Sequence, residues 1–85
     1  MKFEPASVEC LSGYRVNERP VAFTHRSRRY EIDEILDRWY EGGRDPGRPV
    51  LDYFKVRTRG RDVVLLRYSA LFDAWSVAVT GARYP

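Results

Sequence analysis

The sequence predicts a mainly β fold: a small antiparallel meander or partly open barrel of about five strands. Three observations carry this. Short runs such as "VAFTH", "YFKVRT" and "WSVAV" alternate or concentrate apolar residues over four to eight positions. Clusters rich in glycine, proline and aspartate separate these runs at hairpin distances. Only one segment, residues 31–41, has a competing helical period, so the alternative is an α+β fold with that segment as one helix packed on the sheet.

In chain order, "SVECLSGYRV" reads as the first strand, with Val8, Cys10 and Ser12 alternating with Glu9 and Leu11 until Gly13. "NERP" breaks the pattern, since Pro20 biases Arg19 away from helix. "VAFTH" is a short strand with Val21 and Phe23 on one side, and "RSR" is the expected hairpin connection, although it lacks an Asn-Gly turn.

"RRYEIDEILDRWYEGG" supports two readings. As a helix it places Ile32, Ile35, Leu36 and Trp39 on one face, with Asp33 and Glu34 early, Arg38 late and Gly42 as a stop. No Ser, Thr, Asp or Asn caps it ahead of Ile32, and Tyr30 pairs with Ile32 at period two. As a strand, its apolar set changes face between Ile32 and Ile35, which requires one bulge.

"GGRDPGRP" is a turn-rich loop around Asp45-Pro46-Gly47. "YFKVRT" sets Phe54, Val56 and Thr58 against Tyr53, Lys55 and Arg57. "RGRD" is a hairpin turn around Gly60, "VVLLRY" a buried strand and "SALFDA" a loop. "WSVAV" closes the pattern with Trp75, Val77 and Val79 on one face, and residues 80–85 form a loose tail. One domain over residues 1–85 is expected, with Trp39 and Trp75 both in its core.

The succession "SGYRVNERP", "AFTHRSRRYEIDEILDRWYE", "YFKVRTRGRDVVLLRYSALFDAW" resembles a family of short bacterial cytoplasmic proteins of unknown function. It is also similar to a C-terminal segment of some Y-family DNA polymerase-like proteins. The resemblance covers residues 8–77, and the order "DRWY", "YFKV", "LLRY", "W" is its most specific part. The insertion "GGRDPGRPVLD" and the turn "TRGRD" depart from the family pattern. Glycine at the position of Asp37 in related chains implies a long bulged strand over 28–41 rather than a helix.

Composition limits the function classes. With 44% hydrophobic and 14% aromatic residues in 85, the chain is too apolar for disorder. Cys10 is the only cysteine, which excludes an internal disulfide and suits a reducing cytoplasm. No signal peptide or membrane segment is expected. His25 stands alone, so no metal or cofactor is expected. No P-loop, dinucleotide fingerprint or metalloprotease motif occurs, and Ser12 or Ser27 beside His25 makes no ordered triad, so the chain reads as a non-enzyme. Glu31, Asp33, Glu34, Asp37 and Glu41 supply the oxygens a divalent cation needs, but they read first as a solvated face guarding a sheet edge.

Charge distribution supplies the candidate site. Residues 1–43 carry net −1 and residues 44–85 net +4, and thirteen of the fifteen cations are arginine. Coding bias alone also produces such arginine content. Tyr53, Lys55 and Arg57 share the outer face of one strand, Arg59 and Arg61 flank Gly60, and Arg67 ends the next strand. Arg26, Arg28 and Arg29 cluster at the first hairpin turn. Cations with interleaved tyrosines suit sequence-tolerant nucleic-acid binding, in which charge follows the phosphates and rings accept bases. The other expected partner is a protein or a second copy of this chain, met through an edge strand or through Tyr40, Leu71 and Phe72.

Overall fold

Apolar alternation along the chain produces six strands: β1 (Lys2–Cys10), β2 (Pro20–His25), β3 (Arg28–Glu41), β4 (Leu51–Thr58), β5 (Val63–Ser69) and β6 (Ala74–Val79). The computed structural model describes residues 2–11, 19–42, 47 and 50–79. Each strand pairs antiparallel with the next, and β1 pairs with β6 to close a barrel. The described residues contain no helix, so residues 31–41 are strand and the α+β alternative is overturned.

Closure depends on two long strands that each serve two neighbours. β1 pairs with β6 through Lys2–Ala6 and with β2 through Ser7–Cys10. β3 pairs with β2 from Arg28 to Glu31 and with β4 from Ile32 to Glu41. The expected first strand over 7–16 is corrected: β1 begins at Lys2, and residues 12–16 lie outside the described residues. Pro5 hides the start of this strand, yet it is tolerated because that half of β1 has β6 as its only strand partner. The proposed tail at 80–85 also lies outside the described residues.

β3 carries register shifts between Ile32 and Glu34 and between Ile35 and Asp37. Two bulges replace the single one expected: the first returns Ile35 to the inward side after Ile32, and the second turns Trp39 outward. Ile32 and Ile35 pack against the core, while Leu36 is exposed. Trp39 is 37% exposed on the outer face, which corrects its expected place in the core. From Ile32 onward β3 has a strand partner on only one side among the described residues. The Arg38 N–H donates to Asp37 Oδ1 at 2.8 Å, which occupies one backbone donor of the strand.

Phe23, Tyr30, Phe54, Val56, Val64, Leu66, Trp75 and Val77 form the core. Phe54, Val56 and Thr58 point inward as their alternation predicts. β5 was expected to be buried throughout, but only Val64 and Leu66 are, and Val63 is exposed. An antiparallel sheet curled around one core leaves its other face to solvent.

The β2–β3, β4–β5 and β5–β6 hairpins all place non-glycine residues at positive φ, the last of them Asp73 (φ 48°). Arg26 (φ 53°) and Ser27 (φ 65°) make the two-residue connection between β2 and β3, as a type I′ turn requires. Each costs about 1–2 kcal/mol relative to an ordinary backbone conformation. The β4–β5 turn lies around Gly60 as expected, but its left-handed residue is Arg61 (φ 76°). There the Thr58 carbonyl accepts from Arg61 N–H at 2.9 Å, Thr58 N–H donates to the Asp62 carbonyl at 2.8 Å, and Asp62 N–H donates to Thr58 Oγ1 at 3.2 Å. Among the described residues no helix is long and apolar enough to cross a membrane.

Candidate basic cleft between the hairpins

The β2–β3 and β4–β5 turns lie at the same end of the barrel because β3 and β4 are antiparallel partners. The Arg59 N–H donates to the Glu31 carbonyl at 2.9 Å, tying the second hairpin to β3. Between the hairpins lies a cleft of about 390 Å³, lined by Arg28, Arg29, Tyr30, Glu31, Thr58, Arg59, Gly60 and Asp62. Two arginine clusters that are distant in the sequence thus meet at one site.

Ion pairs organise this site. Arg29 contacts Glu9 at 2.9 Å and Glu31 at 3.2 Å, and Arg59 contacts the second Glu31 oxygen at 3.2 Å. The result is an alternating chain, Glu9–Arg29–Glu31–Arg59. Ala22 stands in register between Glu9 and Glu31 and is 1% exposed. The Arg29 guanidinium joins the glutamates on either side of this small residue. Its hydrogen bond to Glu9 holds the Glu9 carboxyl below its usual range and raises Arg29 above its own. These pairs are exposed, so each contributes little to stability.

Tyr30 is largely buried. Phe23 stacks on its ring at 4.9 Å and 15°, and the Arg28 guanidinium carbon lies 5.3 Å from its centroid. Neither Arg28 nor Arg61 forms an ion pair with a carboxylate of the described residues. They are the two cations of the hairpin end not held by an internal acid.

Below the first turn, Glu4 lies on the same face of β1 as Ala6 and Val8. Its carboxylate sits 2.7 Å from Nε2 of the buried His25 and accepts two bonds from Arg26, at 3.1 and 2.9 Å. The Arg26 bonds first, then His25, lower its pKa from 4.5 to about 2. This clamp holds the left-handed Arg26 in place, and Arg26 is therefore committed to the fold.

The remaining candidates lie elsewhere on the sheet. Arg57 contacts Asp33 at 2.9 Å and Glu34 at 2.8 Å, and its pKa is raised first by the Asp33 hydrogen bond. Lys55 is exposed between Asp37 and Leu65 in register. Tyr53 is covered: it stacks on Trp39, and its hydroxyl donates to Glu41 at 2.9 Å. Burial first, then that bond, pushes its pKa up. Arg67 lies 3.9 Å from the centroid of Phe3. The acids read as a solvated face are exposed, and four of them also serve as partners: Glu31, Asp33 and Glu34 for arginines and Glu41 for Tyr53. Among the described residues no three His, Cys, Asp or Glu side chains are grouped to hold a metal ion.

Glu4, Tyr30 and the bridging role of Glu31 were not singled out from the sequence. Glu4 belongs to the unread half of β1. For Glu31 the available signal was its alternation with Arg29 on one strand face. No family model, curated protein or solved structure matches this chain.

Proposed function

We propose that this chain is a small, non-enzymatic binding module that engages nucleic acid through the hairpin end of its barrel. The observation carrying the reading is the convergence of Arg28, Arg29 and Arg59 on one cleft from two separate hairpins. Arginine suits this role because its planar fork matches phosphate oxygens, and phosphate neutralisation drives binding. The resemblance of residues 8–77 to a segment of polymerase-like proteins adds an association with DNA metabolism, by analogy only. The single cysteine suits a cytoplasmic setting.

The test is an amide-shift titration of the labelled protein with a short mixed-sequence oligonucleotide at low salt. Saturable shifts should cluster at residues 26–31 and 58–62 and fade as salt rises. Arg28→Glu and Arg61→Asn should weaken binding without breaking an ion pair among the described residues, and asparagine suits the positive φ at 61. An unperturbed spectrum at low salt would remove the reading.

A second reading rests on a different surface. Leu71 and Phe72 are 67% and 75% exposed in the β5–β6 turn, at the end of the barrel away from the cleft. Self-association through this apolar tip is the alternative function, and sedimentation of the intact chain against its Phe72→Ser variant tests it.

A further inference from the structure

The ring that lines the cleft is already engaged: Tyr30 has Phe23 stacked on it and the Arg28 guanidinium close by. The other candidate ring, Tyr53, lies elsewhere on the sheet and is stacked on Trp39. Stacking platforms for single strands require open aromatic faces. The cleft instead offers guanidinium groups from two hairpins, and one carboxylate, Glu31, joins Arg29 and Arg59. Arginine binds carboxylate and phosphate with the same forked geometry. The backbone bond from Arg59 N–H to the Glu31 carbonyl keeps both chain segments in place whatever the Glu31 side chain does.

Resting on the nucleic-acid reading, we propose that the cleft contacts the phosphate backbone without stacking bases, and that Glu31 occupies the position a backbone phosphate takes between Arg29 and Arg59. Glu31 is then an internal competitor that keeps binding weak and salt-sensitive. Removing its charge frees the Arg59 guanidinium and leaves Arg29 held by Glu9 alone. Duplex and single strand, whatever their sequence, bind through the same residues.

The experiment compares the intact chain with its Glu31→Gln, Glu31→Ala and Glu34→Gln variants. Each is titrated with 12-mer DNA, as a mixed-sequence duplex, a mixed single strand and oligo-dT, over a range of salt. Amide spectra verify that each variant is folded. Glu34 provides the control, because it makes the same charge change while pairing with Arg57, outside the residues lining the cleft. Glu31→Gln should tighten binding about fivefold, the scale of one exposed ion pair. Its plot of log affinity against log salt should steepen by about one for each phosphate gained. Glu31→Ala should act in the same direction, and Glu34→Gln should change affinity far less. Equal gains from Glu31→Gln and Glu34→Gln would overturn the competitor role and leave the nucleic-acid reading standing. A strong preference for oligo-dT would overturn backbone-only contact. If neither the intact chain nor any variant binds DNA at low salt, the nucleic-acid reading fails and this inference with it.

Discussion

Trp39 and Tyr53 face each other across the β3–β4 ladder, with ring centroids 5.3 Å apart and planes 8° from parallel. The stack lies outside the barrel. Tyr53 is closed off from water by its neighbours, with Phe3 also at its edge, while Trp39 remains partly exposed. An aromatic cross-strand pair of this kind supports the sheet from its solvent side.

Trp39→Ala should therefore cost about 1–2 kcal/mol, the value of an aromatic pair plus partial burial. Phe54→Ala, which empties a position 1% exposed, should cost about 3–5 kcal/mol. Urea denaturation of both variants measures the difference. Equal losses would place Trp39 in the core after all.

The Glu4 clamp predicts an acid transition. Its folded pKa of about 2 lies below the ordinary 4.5, so the folded state binds this proton less readily than the unfolded chain. The resulting stability is fully present above about pH 4.5 and is lost as pH falls towards 2. Denaturation midpoints measured across that window should fall. In Glu4→Gln the midpoint should be lower at neutral pH and this part of the pH dependence should vanish. An unchanged pH profile in the variant would show that Glu4 contributes nothing to the transition.

The β4–β5 turn makes a prediction that opposes intuition about glycine. Gly60 does not have positive φ, and a Cβ there would meet Thr58 Oγ1 at 3.7 Å and Asp62 Oδ2 at 3.9 Å, ordinary contacts. Gly60→Ala should stabilise by about 0.4–1 kcal/mol through reduced freedom of the unfolded chain. Arg61→Gly should be neutral or stabilising by up to about 1 kcal/mol, since relief of the left-handed strain outweighs or offsets the added entropy. Thermal melts decide both. A destabilising Gly60→Ala would mean that residue 60, not 61, bears the turn's strain.

Much of the fold was legible because side-chain direction in a strand is a local property. "YFKVRT" announces Phe54, Val56 and Thr58 as inward by alternation alone, and the structure buries all three. The turns at 26–27 and 59–61 were located from the breaks between such runs, although neither carries the usual glycine at its left-handed position. β1 was misread because Pro5 masks Lys2–Ala6, whose strand character comes from pairing with the last strand of the chain. Trp39 was misread because a bulge reverses the face a tryptophan occupies, and one sequence does not announce two bulges.

The candidate site divides in the same way. The arginine clusters at 26–29 and 55–67 are visible as composition. Their commitments are not. Arg26 belongs to Glu4, Arg57 to Asp33 and Glu34, and Arg29 and Arg59 share Glu31.

The sequence by itself determined the strand-and-turn grammar, the inward Phe54, Val56 and Thr58 of β4 and Trp75 and Val77 of β6, and a chain rich in arginine with one cysteine. Period-two geometry and turn chemistry act within a few residues, so a local window contains them. Only the tertiary structure decided that β1 and β3 each serve two neighbours to close the barrel, that β3 bulges twice, and that two hairpins place their arginines around one carboxylate. Those outcomes depend on register between strands far apart in the chain, and register is set by the packing of the whole barrel.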